Sequence, residues 1–290
     1  MTDPKRVPKL SPSIAHVLLT RSCLHAWQRH SLLGGTESEP DDAKETGKTI
    51  EKLLLGGAAT EGKEEGSLVV FEFDDWKTKE AQAVRKQTRF EDKIPVLAHR
   101  LETLNKAVPR MKANAAAFGI QLGTGEMQVR TEWKRVVETQ HGPDYVDCKG
   151  FIDRLDIKGG FIDDLKTCSN AHPSLVLRLI LKHGYDVQGA AYLEGTEALH
   201  PELAGRLRVR FIFVETKPPY AVQPYYLDGA ALELGQQKWA RACKSWKACL
   251  MTNTWPSYGR KVLSLDVPTW ALNAEAEEEM RVEMDEEEDQ

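Results

Sequence analysis

No stretch of this 290-residue chain approaches the roughly 18 or more consecutive apolar residues that a membrane span requires. Met1 to Leu10 is polar and Pro-containing, without the apolar core of a signal peptide. The expected location is therefore the cytoplasm, with no membrane contact. Cysteine is scarce: Cys23, Cys148, Cys168, Cys243 and Cys249 are odd in number and widely spaced. Such a set builds no disulfide framework and suits a reducing compartment, with the thiols acting as small core residues. No Gly-x-x-x-x-Gly-Lys-Ser/Thr run is present, so a P-loop nucleotide site is excluded. Neither a Ser/His/Asp nor a Cys/His arrangement stands out, and His16, His25 and His172 have no metal-ligand spacing. There are no internal repeats.

What is there is ordinary in bulk: 41% apolar and 29% charged residues, enough for one elaborated domain with a full core. The charge is unevenly placed. Residues 275–290 hold ten acidic residues against Arg281, so −9 of the formal −5 sits in that tail and residues 1–274 carry +4. The expected organisation is a single domain over 1–274 followed by a disordered acidic tail. A mildly basic body permits phosphate binding without demanding it.

Hydrophobic periodicity predicts a helix over Ser11–His30, capped by Ser11 or Ser13, with Ile14, Val17, Leu18 and Leu24 on its apolar stripe. A loop follows over Gly34–Glu45, then a helix to Leu55 that stops at Gly56-Gly57, and a short β-prone run over Leu68–Phe73. Pro95 is expected to open a long helix, with a kink or break at Pro109. This region, 11–118, is mainly helical. From Glu126 the period becomes two, giving three antiparallel-prone strands over Glu126–Trp133, Tyr145–Ile157 and Gly160–Lys166, the last two joined by a turn at Lys158-Gly159-Gly160. A helix over Pro173–Thr196, strands near Arg208–Glu215 and Ala221–Leu227, and a last helix over Gly229–Met251 complete the pattern. Residues 120–230 thus form a core and 229–270 a C-terminal helix and extension. The fold class is α/β, a central mixed sheet flanked by helices.

Within that core, alternation puts Asp164 and Lys166 on one side of their strand and Asp163 with Leu165 on the other. Antiparallel pairing about the turn brings Asp153 close to Asp164. Two carboxylates and an ammonium at one strand end form a hard, oxygen-rich site suited to Mg²⁺ or Mn²⁺. Phosphodiester hydrolysis needs such a site, because a divalent ion activates water and stabilises charge on phosphate. The bland alternative is a surface hairpin with an exposed ion pair.

Three ordered motifs weigh against that alternative: Gly150-Phe151-Ile152-Asp153, Phe161-Ile162-Asp163-Asp164-Leu165-Lys166-Thr167, and Gly184-Tyr185-Asp186-Val187-Gln188-Gly189-Ala190-Ala191-Tyr192. Together they resemble the nuclease core of RecB-like and exodeoxyribonuclease VIII-like enzymes of the PD-(D/E)XK superfamily, with its restriction-endonuclease-like fold. Ser11-Pro12-Ser13-Ile14, Arg21-Ser22-Cys23-Leu24-His25-Ala26, Pro218-Pro219-Tyr220 and Trp255-Pro256-Ser257-Tyr258 extend the similarity over most of residues 11–270. The resemblance implies Asp153, Asp164 and the Leu165 carbonyl as metal ligands, Lys166 acting on the nucleophilic water, and Gln188 supporting the site. Tyr185, Gln188 and Tyr192 share a helix face. Tyr192 is then either a DNA contact or a core residue. Where the family carries Gly-x-x-x-His, this chain has Gly47-Lys48-Thr49-Ile50-Glu51, which makes Glu51 a candidate hard-metal ligand or a solvated helix residue. Glu126 could approach the metal. Arg21 and Arg178 are candidate phosphate contacts. An iron–sulfur cluster, which some RecB-like enzymes build from terminal cysteines, lacks a fourth nearby thiolate here.

The activity this implies is 5′→3′ exonucleolytic hydrolysis of linear double-stranded DNA from its ends, in phage-type recombination. An endonuclease or CRISPR-adaptation-type nuclease has the same core, and a catalytically silent DNA-binding scaffold is the alternative from another class. The implied partners are DNA ends, further copies in a ring-like homo-oligomer, and a single-strand annealing protein on which the acidic tail could dock.

Overall fold

The computed structural model describes residues 7–35, 41–56, 66–259 and 262–288. Ser11 stands extended ahead of helix α1 (Pro12–Thr20) and its hydroxyl accepts the Ile14 N–H. Ser22 does the same for the His25 N–H ahead of α2 (Cys23–Arg29). The single helix expected over 11–30 is thus two, because a serine side chain restarts the helix after Arg21. Helix α3 (Asp42–Leu54) begins earlier than expected, since Asp41 caps the Lys44 N–H. Gly57 and residues 36–40 of the expected loop lie outside the described residues.

Strand β1 (Leu68–Phe71), helix α4 (Lys79–Phe90) and strand β2 (Ile94–Leu97) precede α5 (Ala98–Ala116). β1 and β2 pair in parallel, Leu68 opposite Ile94. Pro95 therefore sits in a strand rather than opening a helix. In a two-stranded sheet both strands are edges, where a missing N–H is tolerated. α5 runs through Pro109 without the expected break. Leu104 and Ala107 before the proline and Met111 and Ala115 after it are all buried in one core cluster, which holds both halves against the sheet.

β3 (Glu126–Thr139), β4 (Gly142–Asp156) and β5 (Phe161–Cys168) follow, then α6 (Pro173–His183), α7 (Tyr185–Leu199), β6 (Arg208–Glu215), β7 (Val222–Leu227) and α8 (Gly229–Thr252). The helix expected over 173–196 is divided at Gly184, whose φ of 70° is left-handed. The strands form one sheet in the order β3-β4-β5-β6-β7. Only β5 and β6 are parallel, so the sheet is mixed, as expected.

Helices cover both faces. In β6, Phe211 and Phe213 pack with Ile162, Val176 and Tyr192 beneath α6 and α7, while Ile212 and Val214 pack with Ile50, Leu54 and Met111 of α3 and α5. A third cluster joins α1 and α8 to β3 and β4 around Trp133, Trp239 and Trp246. Burial on both faces fits a central parallel pair. Among the described residues no helix is long and apolar enough to cross a membrane.

The edge of β4 facing β5 is shared by two partners. β5 pairs with it only where Arg154, Leu155 and Asp156 stand opposite Asp163, Ile162 and Phe161. Further along, Leu10 takes over: its N–H donates to the Asp147 carbonyl and its carbonyl accepts from Lys149. Between these contacts the sheet forks.

Residues 258–290 form a second unit, separate from residues 1–257. It contains α9 (Thr269–Glu288). The acidic tail expected to be disordered over 275–290 is helical as far as Glu288, and residues 289 and 290 lie outside the described residues. Ala, Glu and Met are strong helix formers, and an i,i+3 pair joins Glu278 to Arg281. The unit boundary falls at Ser257, ahead of the expected residue 274.

Candidate active site

The fork positions the chemistry. Just past the last paired residues, Asp153 Oδ2 accepts the Leu165 N–H at 2.7 Å, the first β5 donor beyond the ladder. Asp153 and Asp164 therefore converge as the sequence predicts, through a side chain rather than through continued pairing. Asp164 is 2% exposed. Lys166, two residues along the same strand face, sets its ammonium against the Asp164 carboxylate and 4.4 Å above the Tyr185 ring. From α7, Gln188 Nε2 donates to Asp164 Oδ2 and to the Tyr192 hydroxyl, each at 2.8 Å.

Glu51 arrives from α3 on the opposite side. One turn earlier, a Cβ on Gly47 would lie 3.0 Å from the Thr167 hydroxyl of β5. The glycine thus lets the helix approach the strand closely enough for Glu51 to reach the cluster. Gln128, at a φ of 56° in β3, donates from Nε2 to Glu51.

Three carboxylates share one ammonium, and their acidity shows it. Burial raises the Glu51 pKa, and the Asp164 charge adds to the rise while Gln128 and Lys166 oppose it. Asp153 is pushed well above the carboxylate range by burial, then by Asp164 and Glu51. Asp164 is also raised by burial, against the pull of Lys166. For Lys166 burial acts downward, but Asp164 and Asp153 outweigh it and its pKa rises. A buried oxygen-rich set with excess negative charge fits a hard divalent cation such as Mg²⁺ or Mn²⁺. The carboxylates do not close on a single point: among the described residues no three His, Cys, Asp or Glu side chains are set to hold one ion. Lys166 and Gln188 engage Asp164, and the Leu165 N–H engages Asp153.

Asp163 faces away, as alternation predicts. It is fully buried and accepts from Arg210 Nε at 2.7 Å and Nη2 at 3.0 Å, and from Arg154. Tyr192 is 5% exposed, packed in the core and bonded to Gln188, and it also reaches the wall of a cavity beside the site. Glu126 is exposed at the start of β3, and the cluster forms without it. Arg21, after α1, and Arg178, on α6, are exposed and do not line the cavity beside the cluster. The cations that are brought near line a cavity of about 830 Å³ that reaches Tyr185 and Gln188: Lys9, Arg29, Lys44, Arg130 and Lys149. Sequence reading missed these because they come from five separate segments, and it missed Gln128 because a positive φ aims it. Cys23 lies beside Cys249 and Cys148 beside Cys243 as two thiol pairs, with no four-thiolate site among the described residues.

Residues 41–266 match the model of a PDDEXK-like domain of unknown function (DUF3799). Among solved structures, the chain is similar to one described provisionally as an exonuclease of Eubacterium rectale. The two are 13% identical with a TM-score of 0.58, over 92% of this chain and 93% of that one. A phage-related exonuclease from Haemophilus somnus 129PT is 11% identical with a TM-score of 0.36, over 84% and 96% of the two chains, a likeness too slight to argue from. No curated protein matches the chain. At these identities the structural likeness speaks for the fold alone, whereas the family model spans well over half of the chain and includes every member of the carboxylate cluster. On that match the chain belongs to the PDDEXK-like domain family.

Proposed function

We propose that the protein is a metal-dependent nuclease that hydrolyses phosphodiester bonds of linear double-stranded DNA, working 5′→3′ from an end in phage-type recombination. The observation that carries this reading is the convergence of Glu51, Asp153, Asp164 and Lys166 in the fork between β4 and β5. The exonuclease description of the Eubacterium rectale structure supports an end-directed enzyme over an endonuclease with the same core.

In this reading Glu51, Asp153 and Asp164, with the Leu165 carbonyl, would hold Mg²⁺ or Mn²⁺. Such an ion would supply Lewis-acid activation of water and charge stabilisation at the phosphate. Lys166 has two tasks. Its ammonium compensates the carboxylates, and it orients the attacking water or neutralises the phosphate oxygens. Gln188 fixes the Asp164 carboxylate, and Tyr192 in turn fixes Gln188. Gln128 does the same for Glu51. The buried setting strengthens each of these interactions.

The test compares 5′-labelled linear duplex with covalently closed circular duplex, in Mg²⁺, Mn²⁺ or EDTA. Loss of linear DNA alone, and only with metal, is the expected result. Cutting of circles would keep the chemistry but replace the exonuclease with an endonuclease. Binding without cutting of either substrate would make the protein a silent scaffold.

A further inference from the structure

The floor of the 830 Å³ cavity is the open face of β3 and β4. Cross-strand register orders that face: Glu132 stands opposite Lys149, and Arg130 opposite Phe151. Two residues further along each strand come Gln128 and Asp153, already in the carboxylate cluster. Phe151 is 44% exposed within this wall. Cations line the same cavity: Arg130 opposite Phe151 across the strand pair, Lys149 two residues along β4, Lys44 from α3 and Arg29 from α2. The wall's carboxylate, Glu132, is paired with Lys9. An apolar ring left open among cations, one strand step from a reacting centre, has the chemistry of a stacking platform beside a polyanion track.

We propose that this cavity holds an unpaired stretch of the substrate strand, one base stacked on Phe151 and the flanking phosphates against Arg130 and Lys149. The inference rests on the nuclease reading above for its substrate. A base inside a duplex already has both faces stacked, so a free aromatic ring selects a base that has left the helix. The cations alone would also accept an acidic peptide; the open ring of Phe151 opposite Arg130 is what favours a nucleotide base. Phe151 thereby becomes a specificity determinant, sorting frayed or single-stranded ends from fully paired DNA.

The experiment uses the full chain in EDTA, so that binding is read without cleavage. Short single-stranded oligodeoxynucleotides carry 2-aminopurine at successive positions, and a closed hairpin duplex without free ends is the control. Wild type is expected to quench 2-aminopurine at one position. Phe151→Leu should abolish the quenching and weaken single-strand binding about tenfold. It should leave the closed duplex within about twofold, since no stacked base is lost there. Phe151→Tyr, which keeps the ring, should restore both signals. Lys149→Gln should lower the salt slope of binding by about one. Melting curves check that each variant is folded. Unchanged quenching and affinity in Phe151→Leu would overturn the proposal, as would an equal loss on both substrates. If the binding results hold but no metal supports cleavage of any DNA, the nuclease reading falls and the strand track stands.

Discussion

Asp163 and Asp164 are adjacent, both buried, and assigned opposite tasks, so their asparagine variants should behave in opposite ways. Asp163 accepts two bonds from Arg210 and one from Arg154 on the face turned from the site. An asparagine there sets an amide N–H₂ against a guanidinium and leaves Arg210 buried without its carboxylate. Breaking a buried pair of this kind costs about 3–5 kcal/mol, a large part of the usual ~5–15 kcal/mol of total stability. For a domain of this size each kcal/mol moves the melting temperature by about 2–4 °C, so Asp163→Asn should lower it by roughly 6–20 °C. Asp164 is different: burial raises its pKa against the pull of Lys166, and in the neutral form Lys166 still has Asp153 and Glu51 as counter-charge. Asp164→Asn mimics that neutral form and should melt within about 3 °C of wild type in EDTA, while losing metal-dependent stabilisation and activity. Differential scanning calorimetry on both variants, with and without Mn²⁺, reads each number. Equal melting temperatures for the two variants would refute the division of labour.

Gln128→Leu removes the donor that holds Glu51, and should weaken Mn²⁺ binding about 10–100-fold, read as the metal concentration needed to raise the melting temperature. Gly47→Ala gains about 1 kcal/mol of helix propensity but crowds Thr167, so stability should stay close to wild type while Mn²⁺ affinity and cleavage fall. pH gives a further check. The Asp153 and Glu51 pKa values are raised in the fold, so without metal the folded state binds more protons than the unfolded chain and their contribution to stability falls as pH rises above the ordinary carboxylate range. In EDTA, the stability of Asp153→Asn relative to wild type should therefore increase from mildly acidic to neutral pH. A fall in that relative stability over the same span would contradict the assignment.

The parts legible in the sequence are those set by short-range rules. Two-residue alternation put Asp164 and Lys166 on one strand face and Asp163 on the other, and both placements hold. The strand expected near Arg208–Glu215 and the helix expected from Gly229 match β6 and α8. Local competition was harder to read. Ser22 and Gly184 each divide an apolar stripe that reads as one helix, and Pro95 fits a strand as well as a helix start. The three-dimensional features left no periodic trace. Nothing in Met127-Gln128-Val129 announces a positive φ, and the cations of the cavity meet only after Leu10 joins β4. Arg21 and Arg178 are singled out by chemistry alone; both are exposed and neither lines the cavity.

The most direct test is the release of acid-soluble nucleotide from uniformly labelled linear duplex by wild type and by Asp164→Asn, each with Mn²⁺ and with EDTA. The account predicts release by wild type in Mn²⁺ alone and none by the variant, although the variant still melts as a folded protein. Release that survives EDTA, or that Asp164→Asn retains, would contradict the placing of the chemistry in the β4–β5 fork.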